Sequence, residues 1–234
     1  MTITGPRQSG KTTLCKILFP HKKYVSLENP DVCQFELMQN VSQSLAGRTG
    51  QLLNMNEIGT SCGVNHNTIK SWIHVLEASF LIKLIRPYFK NINKRLIKAP
   101  KLFFLDTGLV CYLLGIKSFE QIFSHPLKGA IFETLVFSEI LKTQYNRGNK
   151  EDVYFLRDKK GHEIDFLIDK GIFVDLCEVK SASTITSDFF KNLKYYSKTE
   201  LQITNKFLIY GGDEEKIQNE VNIMPWQNVE KLFE

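Results

Sequence analysis

Between Asn65 and Ala78 the apolar residues Ile69, Trp72, Ile73 and Leu76 recur at i, i+3, i+4 and i+7, a spacing that lines one face of an α-helix. Asn67, Lys70, Ser71 and His74 repeat that spacing on another face, and Asn65 stands where an N-cap is needed. Residues 56–61 predict a preceding helix and 62–64 a turn, which together make a helix-turn-helix. Phe80 to Tyr88 is apolar enough for wing strands, and Leu102 to Leu105 reads as a buried strand. Residues 129–142 return to a helical pattern. From 153 the pattern is that of three consecutive antiparallel strands, VYFLR, HEIDFLI and IFVDLCEVK, separated by turns at 158–161 and near Lys170-Gly171.

Composition and charge narrow the classes. The chain has 234 residues, 43% hydrophobic and 24% charged, which excludes collagen-like and wholly disordered readings. Five dispersed cysteines without a CxxC pair, and five histidines without HExxH spacing, argue against a disulfide framework and a zinc site. Neither a signal peptide nor a transmembrane run is evident, so a cytoplasmic protein with no membrane partner is expected. The net charge of +5 is uneven. Residues 1–44 carry 5 basic and 3 acidic groups, 45–127 carry 10 and 4, and 128–234 carry 15 and 18. From Lys83 to Lys101 there are seven basic residues and no acidic one, which suits nucleic-acid phosphate or, equally, a docking surface for the acidic C-terminal part. On the nucleic-acid reading Asn67, Lys70, His74, Lys90, Lys94, Arg95 and Lys98 are the contact candidates, with DNA as partner. Winged helices also serve as protein-docking modules.

Gly5-Pro6-Arg7-Gln8-Ser9-Gly10-Lys11-Thr12 fits the phosphate-binding loop, in which backbone N–H groups cradle phosphates, the lysine reaches the outer oxygens and the threonine hydroxyl holds magnesium. Gly5, Ser9, Gly10, Lys11, Thr12 and Thr13 are therefore nucleotide-binding candidates for ATP. A helix is expected over Thr12 to Phe19 and a strand over Tyr24 to Leu27. The four residues before the loop are short for a first strand, so the nucleotide-binding unit reads as cut at its start. Asp106, after LFFL, could be the acid that hydrolysis needs, or the N-cap of a helix over 109–114; capping is preferred.

In the C-terminal strands Glu178 and Lys180 share one strand face by the period of two. A turn centred between Gly171 and Ile172 would place Asp165 opposite Glu178. Two carboxylates on neighbouring strands can hold Mg²⁺, and an adjacent lysine can stabilise charge or place a water against a phosphodiester. Glu133, within the helix of 129–142, could add a third carboxylate if a partner offsets its burial. The same residues could equally be an ion-pair cluster on a sheet face.

Taken together, GPRQSGKTTL at 5–14, SLAGRTGQLLN at 44–54, the helix-turn-helix at 56–78, RPYFKNINKRLIKAPKLFFLDTGL at 86–109, KGAIFETLVFSEI at 128–140, and HEIDFLI with CEVKSA at 162–182 resemble the prokaryotic AAA-type ATPases that carry the C-terminal domain of unknown function 4143. The resemblance implies that Asp106 lies outside the ATPase sheet. It also implies a PD-(D/E)xK nuclease-like core, in which Glu133, Asp165, Glu178 and Lys180 match the catalytic positions and Asp165 and Glu178 the metal ligands. After SLENPDV the chain passes directly to the lid and winged helix, without the Walker B, sensor and arginine-finger regions of the family. A vestigial nucleotide site follows, with weak ATP binding, no useful hydrolysis, and room for a protein partner to supply the missing strands.

The expected fold class is thus α/β, or α+β, in three parts. These are a truncated P-loop segment over 1–44, a winged helix-turn-helix with its basic region over 45–127, and a restriction-endonuclease-like α/β domain with a mixed sheet over 128–234. The expected function is that of a nucleic-acid-associated member of this ATPase family with a nuclease-like domain, the alternative being a non-catalytic DNA-binding or protein-docking module.

Overall fold

A computed structural model describes residues 32–88 and 99–233. The P-loop candidates Gly5, Ser9, Gly10, Lys11, Thr12 and Thr13, and the basic residues Lys90, Lys94, Arg95 and Lys98, lie outside the described residues. Within them the chain forms α1 (Val32–Ala46), β1 (Gln51–Leu52), α2 (Met55–Cys62), α3 (His66–Ala78), β2 (Ile82–Ile85), β3 (Lys101–Phe104), α4 (Thr107–Leu113), α5 (Phe119–Ser124) and α6 (Lys128–Asn146). There follow β4 (Val153–Arg157), β5 (Glu163–Asp169), β6 (Val174–Lys180), α7 (Lys191–Tyr196), β7 (Ile203–Tyr210), β8 (Lys216–Gln218) and β9 (Val221–Pro225), with 3₁₀ turns at Ser187–Phe190 and Trp226–Phe233. Among the described residues the architecture is mixed α/β with two open sheets, one of three strands in the order β1-β3-β2 and one of six in the order β4-β5-β6-β7-β9-β8.

The helix-turn-helix forms where the sequence places it. The Asn54 side chain accepts from Glu57 N–H and caps α2, and Asn65 accepts from Thr68 N–H at 2.9 Å and caps α3. Between them Gly63 takes φ +66°, a left-handed conformation that closes α2 and that glycine adopts without a Cβ clash. Gly59 is fixed for another reason, since a Cβ there would lie 2.6 Å from the Val64 carbonyl oxygen. Ile69, Ile73 and Leu76 are buried against Leu45, Ile58 and Ile82, with Trp72 packed beside them. Asn67, Lys70, Ser71 and His74 are all exposed.

Asp106 is a helix cap: its carboxylate accepts from Leu109 N–H at 3.0 Å and opens α4 two residues earlier than the apolar pattern alone suggests. β4, β5 and β6 form the expected antiparallel run, whereas β6, β7 and β9 are parallel neighbours. The sheet is therefore mixed. Helix α6 covers the face bearing Phe166, Ile168, Cys177, Val179, Phe207 and Ile209, and the other face packs Leu176, Leu208 and Tyr210 against Phe190, Leu193 and Tyr196.

The two sheets share a core. Phe103 of β3 is fully buried among residues of the larger sheet and α6, with its ring 4.6 Å from Phe137 and 5.7 Å from Phe166. Beyond β2 the backbone runs onto the margin of β4, where Tyr88 N–H donates to the Phe155 carbonyl at 2.8 Å and Phe155 N–H to that of Arg86 at 3.2 Å, with Pro87 between. Polar contacts reinforce the junction, the Thr49 and Thr134 hydroxyls lying 2.8 Å apart and the Ser138 hydroxyl donating to the Leu105 carbonyl at 2.9 Å. Among the described residues no helix is long and apolar enough to cross a membrane.

Candidate functional site

The register that pairs Phe166 with Cys177 and Leu167 with Leu176 carries one step further to set Asp165 opposite Glu178, as the turn geometry predicts. The strand is not regular there. Tyr154 pairs with Leu167 and Leu156 with Ile164, so Phe155 of β4 faces two residues of β5, Asp165 and Phe166. This is a β-bulge, which re-aims the side chain it carries. The Asp165 carboxylate turns toward β6 and accepts the Val179 backbone N–H at 2.7 Å.

Glu178 and Lys180 project together from the C-terminal end of β6. The Lys180 ammonium is 2.7 Å from Glu178 Oε1 and 3.9 Å from Asp165 Oδ2. Asn192 of α7 donates a second hydrogen bond to Glu178 Oε1 at 3.2 Å. The other oxygen, Oε2, is buried with no hydrogen-bond partner among the described residues, on a side chain only 4% exposed. Burial and the neighbouring Asp165 charge push the Glu178 carboxyl up to about 8, against the opposing pull of Lys180 and Asn192. Burial alone would lower the Lys180 ammonium, but Asp165 and Glu178 outweigh it and hold the group above the usual lysine range.

Glu133 is near this trio and bonded elsewhere. It lies on α6, 3.0 Å from the ammonium of Lys101, whose side chain is 3% exposed. Lys101 also pairs with Glu163 of β5, and Glu163 in turn with Arg157 at 3.1 Å. Burial is the largest influence on Glu133, pushing its carboxyl up to about 7 although Lys101 pulls the other way. The partner that Glu133, partly buried on α6, requires is thus Lys101. Of the two readings of the basic stretch, Lys101 follows the docking one: it is a buried ion-pair residue, and Lys83 likewise pairs with Glu151. For these two of the seven basic residues the acidic C-terminal part is the counterion.

Asp165, Glu178 and Lys180 are therefore brought together, with Glu133 alongside but held by Lys101. Sequence reasoning missed Lys101, Glu163, Arg157 and Asn192. A lysine opening the apolar strand KLFFL was the available signal for Lys101, and Glu163 precedes Asp165 by two; Asn192 had none. Among the described residues no group of three His, Cys, Asp or Glu side chains is gathered for a metal ion. Asp165 and Glu178 do offer carboxylate oxygens, the donor type a hard cation takes, and Glu178 Oε2 accepts from no donor among the described residues.

Residues 128–229 match the family model described as "Domain of unknown function (DUF4143)", and residues 29–120 match that of "Domain of unknown function (DUF8612)". Uncharacterized proteins of Mycobacterium tuberculosis and Mycobacterium bovis are each 25% identical to the chain over 176 residues, which is 75% of this chain and 38% of theirs. The chain thus spans about two fifths of the length of these curated relatives. The crystal structure of protein VC1899 from Vibrio cholerae overlaps 90% of this chain and 56% of that one with 12% identity and a TM-score of 0.32, a likeness too loose to specify a fold.

Proposed function

We propose that the chain is a nucleic-acid-binding protein whose Asp165, Glu178 and Lys180 form a magnesium-dependent phosphodiesterase site of the PD-(D/E)xK kind. The observation that carries this reading is the buried Oε2 of Glu178, which has no hydrogen-bond partner among the described residues, beside Asp165 and Lys180. A buried carboxylate oxygen without a donor costs stability, and an ion held there is one explanation for its being kept. Asp165 and Glu178 would hold Mg²⁺, which when bound supplies charge stabilisation for a phosphodiester oxygen. Lys180, kept protonated by both acids, acts as a fixed cation and not as a base: it stabilises the negative charge that builds on phosphate and orients water. Hydrolysis gives the water's hydroxyl to phosphorus and its other hydrogen to the departing ester oxygen, as one P–O ester bond breaks with its electron pair.

The test is Mg²⁺- and Mn²⁺-dependent cleavage of single- and double-stranded DNA and RNA by the wild type beside Lys180→Ala. Cleavage that falls by about 10²-fold or more in the variant supports the site; wild-type inactivity on all four substrates sinks it.

The exposed face of α3 would contact the nucleic acid, through Asn67, Lys70 and His74, as the second helix of a winged helix-turn-helix. Lys70→Glu is expected to weaken duplex binding several-fold and to reduce the salt slope by about 1. Titrations at several salt concentrations check this, and an unchanged affinity and slope would remove α3 from the interface. The nucleotide-binding loop at 5–13 is proposed to be vestigial toward ATP, and a partner chain would supply its missing strands.

A second reading is favoured by one contact. The 2.7 Å bond between Lys180 and Glu178 is what a purely structural ion pair would show, and such a chain would bind nucleic acid or a protein without cleaving. Salt-sensitive DNA binding with no metal dependence distinguishes it.

A further inference from the structure

Beyond the carboxyl ends of the parallel strands β6 and β7, the loops that follow them enclose a half-open cavity of about 680 Å³. Its volume is that of a small-ligand pocket, typically about 300–1,000 Å³, which admits one nucleic-acid strand but not a duplex. In open α/β sheets ligands bind in the crevice outside the carboxyl ends of the strands. The cavity adjoins the site already described. Lys180, which ends β6, is the register partner of Tyr210, which ends β7 and forms part of the wall. Ser183, on the same wall, follows Lys180 by three positions.

The walls stand before a ligand arrives. Gly211 N–H donates to the Lys180 carbonyl at 3.1 Å and to that of Ala182 at 3.2 Å, an approach so close that a Cβ on Gly211 would lie 2.7 Å from the Ser181 carbonyl oxygen. The Tyr210 hydroxyl donates to the Glu214 carbonyl at 3.0 Å and accepts the Glu214 N–H at 2.9 Å. The loop after β7 is thereby tied to the end of β6 and folded back on Tyr210. Both aromatic residues of the wall, Phe190 and Tyr210, are buried, so the cavity offers no open platform on which a base could stack. What it offers is suited to a backbone.

The lining groups are of two kinds. The exposed hydroxyls of Ser183, Thr184, Thr186 and Ser187 and the ammonium of Lys194 are donors. Asp213 and Glu214 add carboxylates, which only accept. Lys216 lies 3.5 Å from Glu214, whereas among the described residues Asp213 has no donor and Lys194 no carboxylate partner. A phosphodiester answers the donors, but it is repelled by a carboxylate and brings no hydrogen to it. A DNA backbone supplies nothing else. An RNA backbone adds the 2′-hydroxyl, a donor as well as an acceptor. We infer that the cavity takes the ribose–phosphate backbone of a single RNA strand, its phosphate on Lys194 and the hydroxyls and its 2′-hydroxyl on Asp213, so that the chain prefers RNA to DNA. The inference rests on the phosphodiesterase reading above and names its substrate.

The test titrates fluorescent RNA and DNA single strands of one sequence with the full chain in chelator, where neither is cut. RNA is expected to bind about 10-fold more tightly, the worth of one hydrogen bond to a charged group. Asp213→Ala should abolish the preference by weakening RNA alone. Lys194→Ala should weaken both strands several-fold and reduce the salt slope by about 1. Both side chains are exposed, so neither change threatens the fold. Bound RNA should also slow amide exchange at 183–187 and 211–216. RNA bound no more tightly than DNA, a preference that survives Asp213→Ala, or slowed exchange confined to α3 each overturns the inference and leaves the phosphodiesterase reading to the cleavage assay. Adenosine monophosphate slowing the two loops as much as the strand does would make this a mononucleotide pocket and overturns it equally. Binding of neither strand overturns the nucleic-acid reading and the inference together.

Discussion

Phe103→Ala is expected to lower the stability of the protein by about 3–5 kcal/mol, the range for deleting a fully buried aromatic ring from a packed core. The ring belongs to β3 of the smaller sheet, yet its neighbours Phe137 and Phe166 belong to α6 and the larger one. The loss should therefore be felt on both sides. Thermal unfolding of the wild type should show one transition, and the variant should lower its midpoint while speeding amide exchange in β5 and β6 as well as in β2 and β3. A variant that loosened only the smaller sheet would show that the aromatic cluster does not join them.

Glu178→Gln is expected to stabilise the metal-free protein at alkaline pH while abolishing cation binding. The folded protein holds the Glu178 carboxyl at about 8, well above its ordinary value, so the fold favours the protonated form. A carboxyl of this kind contributes stability that is full below its unfolded pKa and is lost as pH rises through the folded one. Melting temperature in chelator should thus fall between pH 5 and pH 9, and the amide variant, which resembles the protonated acid, should fall less. Part of the slope will remain, because Glu133 is pushed up to about 7 and acts with the same sign. At pH 9 the gain is expected to be about 2 kcal/mol or more, since each tenfold change in proton affinity is worth about 1.4 kcal/mol. A structural ion pair predicts the opposite, since removing one member of a buried pair typically destabilises by about 3–5 kcal/mol. Melting curves at pH 5 and pH 9 therefore separate a site that tolerates strain for function from a cluster that only holds the sheet together.

The helix-turn-helix and the antiparallel strands were legible because local signals and burial agree. Asn65 caps where an Asn is expected, Ile69, Ile73 and Leu76 face the core, and the turn at Gly171-Ile172 sets Asp165 across from Glu178. The capping role of Asp106 was readable for the same reason. The missed features are non-local. The bulge at Asp165 depends on how β4 pairs with β5, which alternation within one strand does not encode. Lys101 was counted with its basic neighbours because charge along a sequence says nothing of depth. Its burial follows from two carboxylates, Glu133 and Glu163, that lie 32 and 62 positions further along the chain. The parallel neighbours β7 and β9 come after crossovers and carried no turn signal linking them to β6.

The run of backbone from Arg86 to Tyr88 along β4 has a consequence for molecules in a crowded solution. An open sheet invites a strand from another copy wherever a margin shows free N–H and C=O groups. On the β4 side those groups of Phe155 are already engaged, and Pro87 has no N–H to extend the ladder outward. On the far side the marginal strand β8 is only three residues long, carries Lys216, and ends in a turn where Asn219 and Glu220 adopt positive φ. Both borders of the six-stranded sheet are thereby made poorer templates for intermolecular strand addition, one by its engaged Phe155 groups and the other by its shortness and charge.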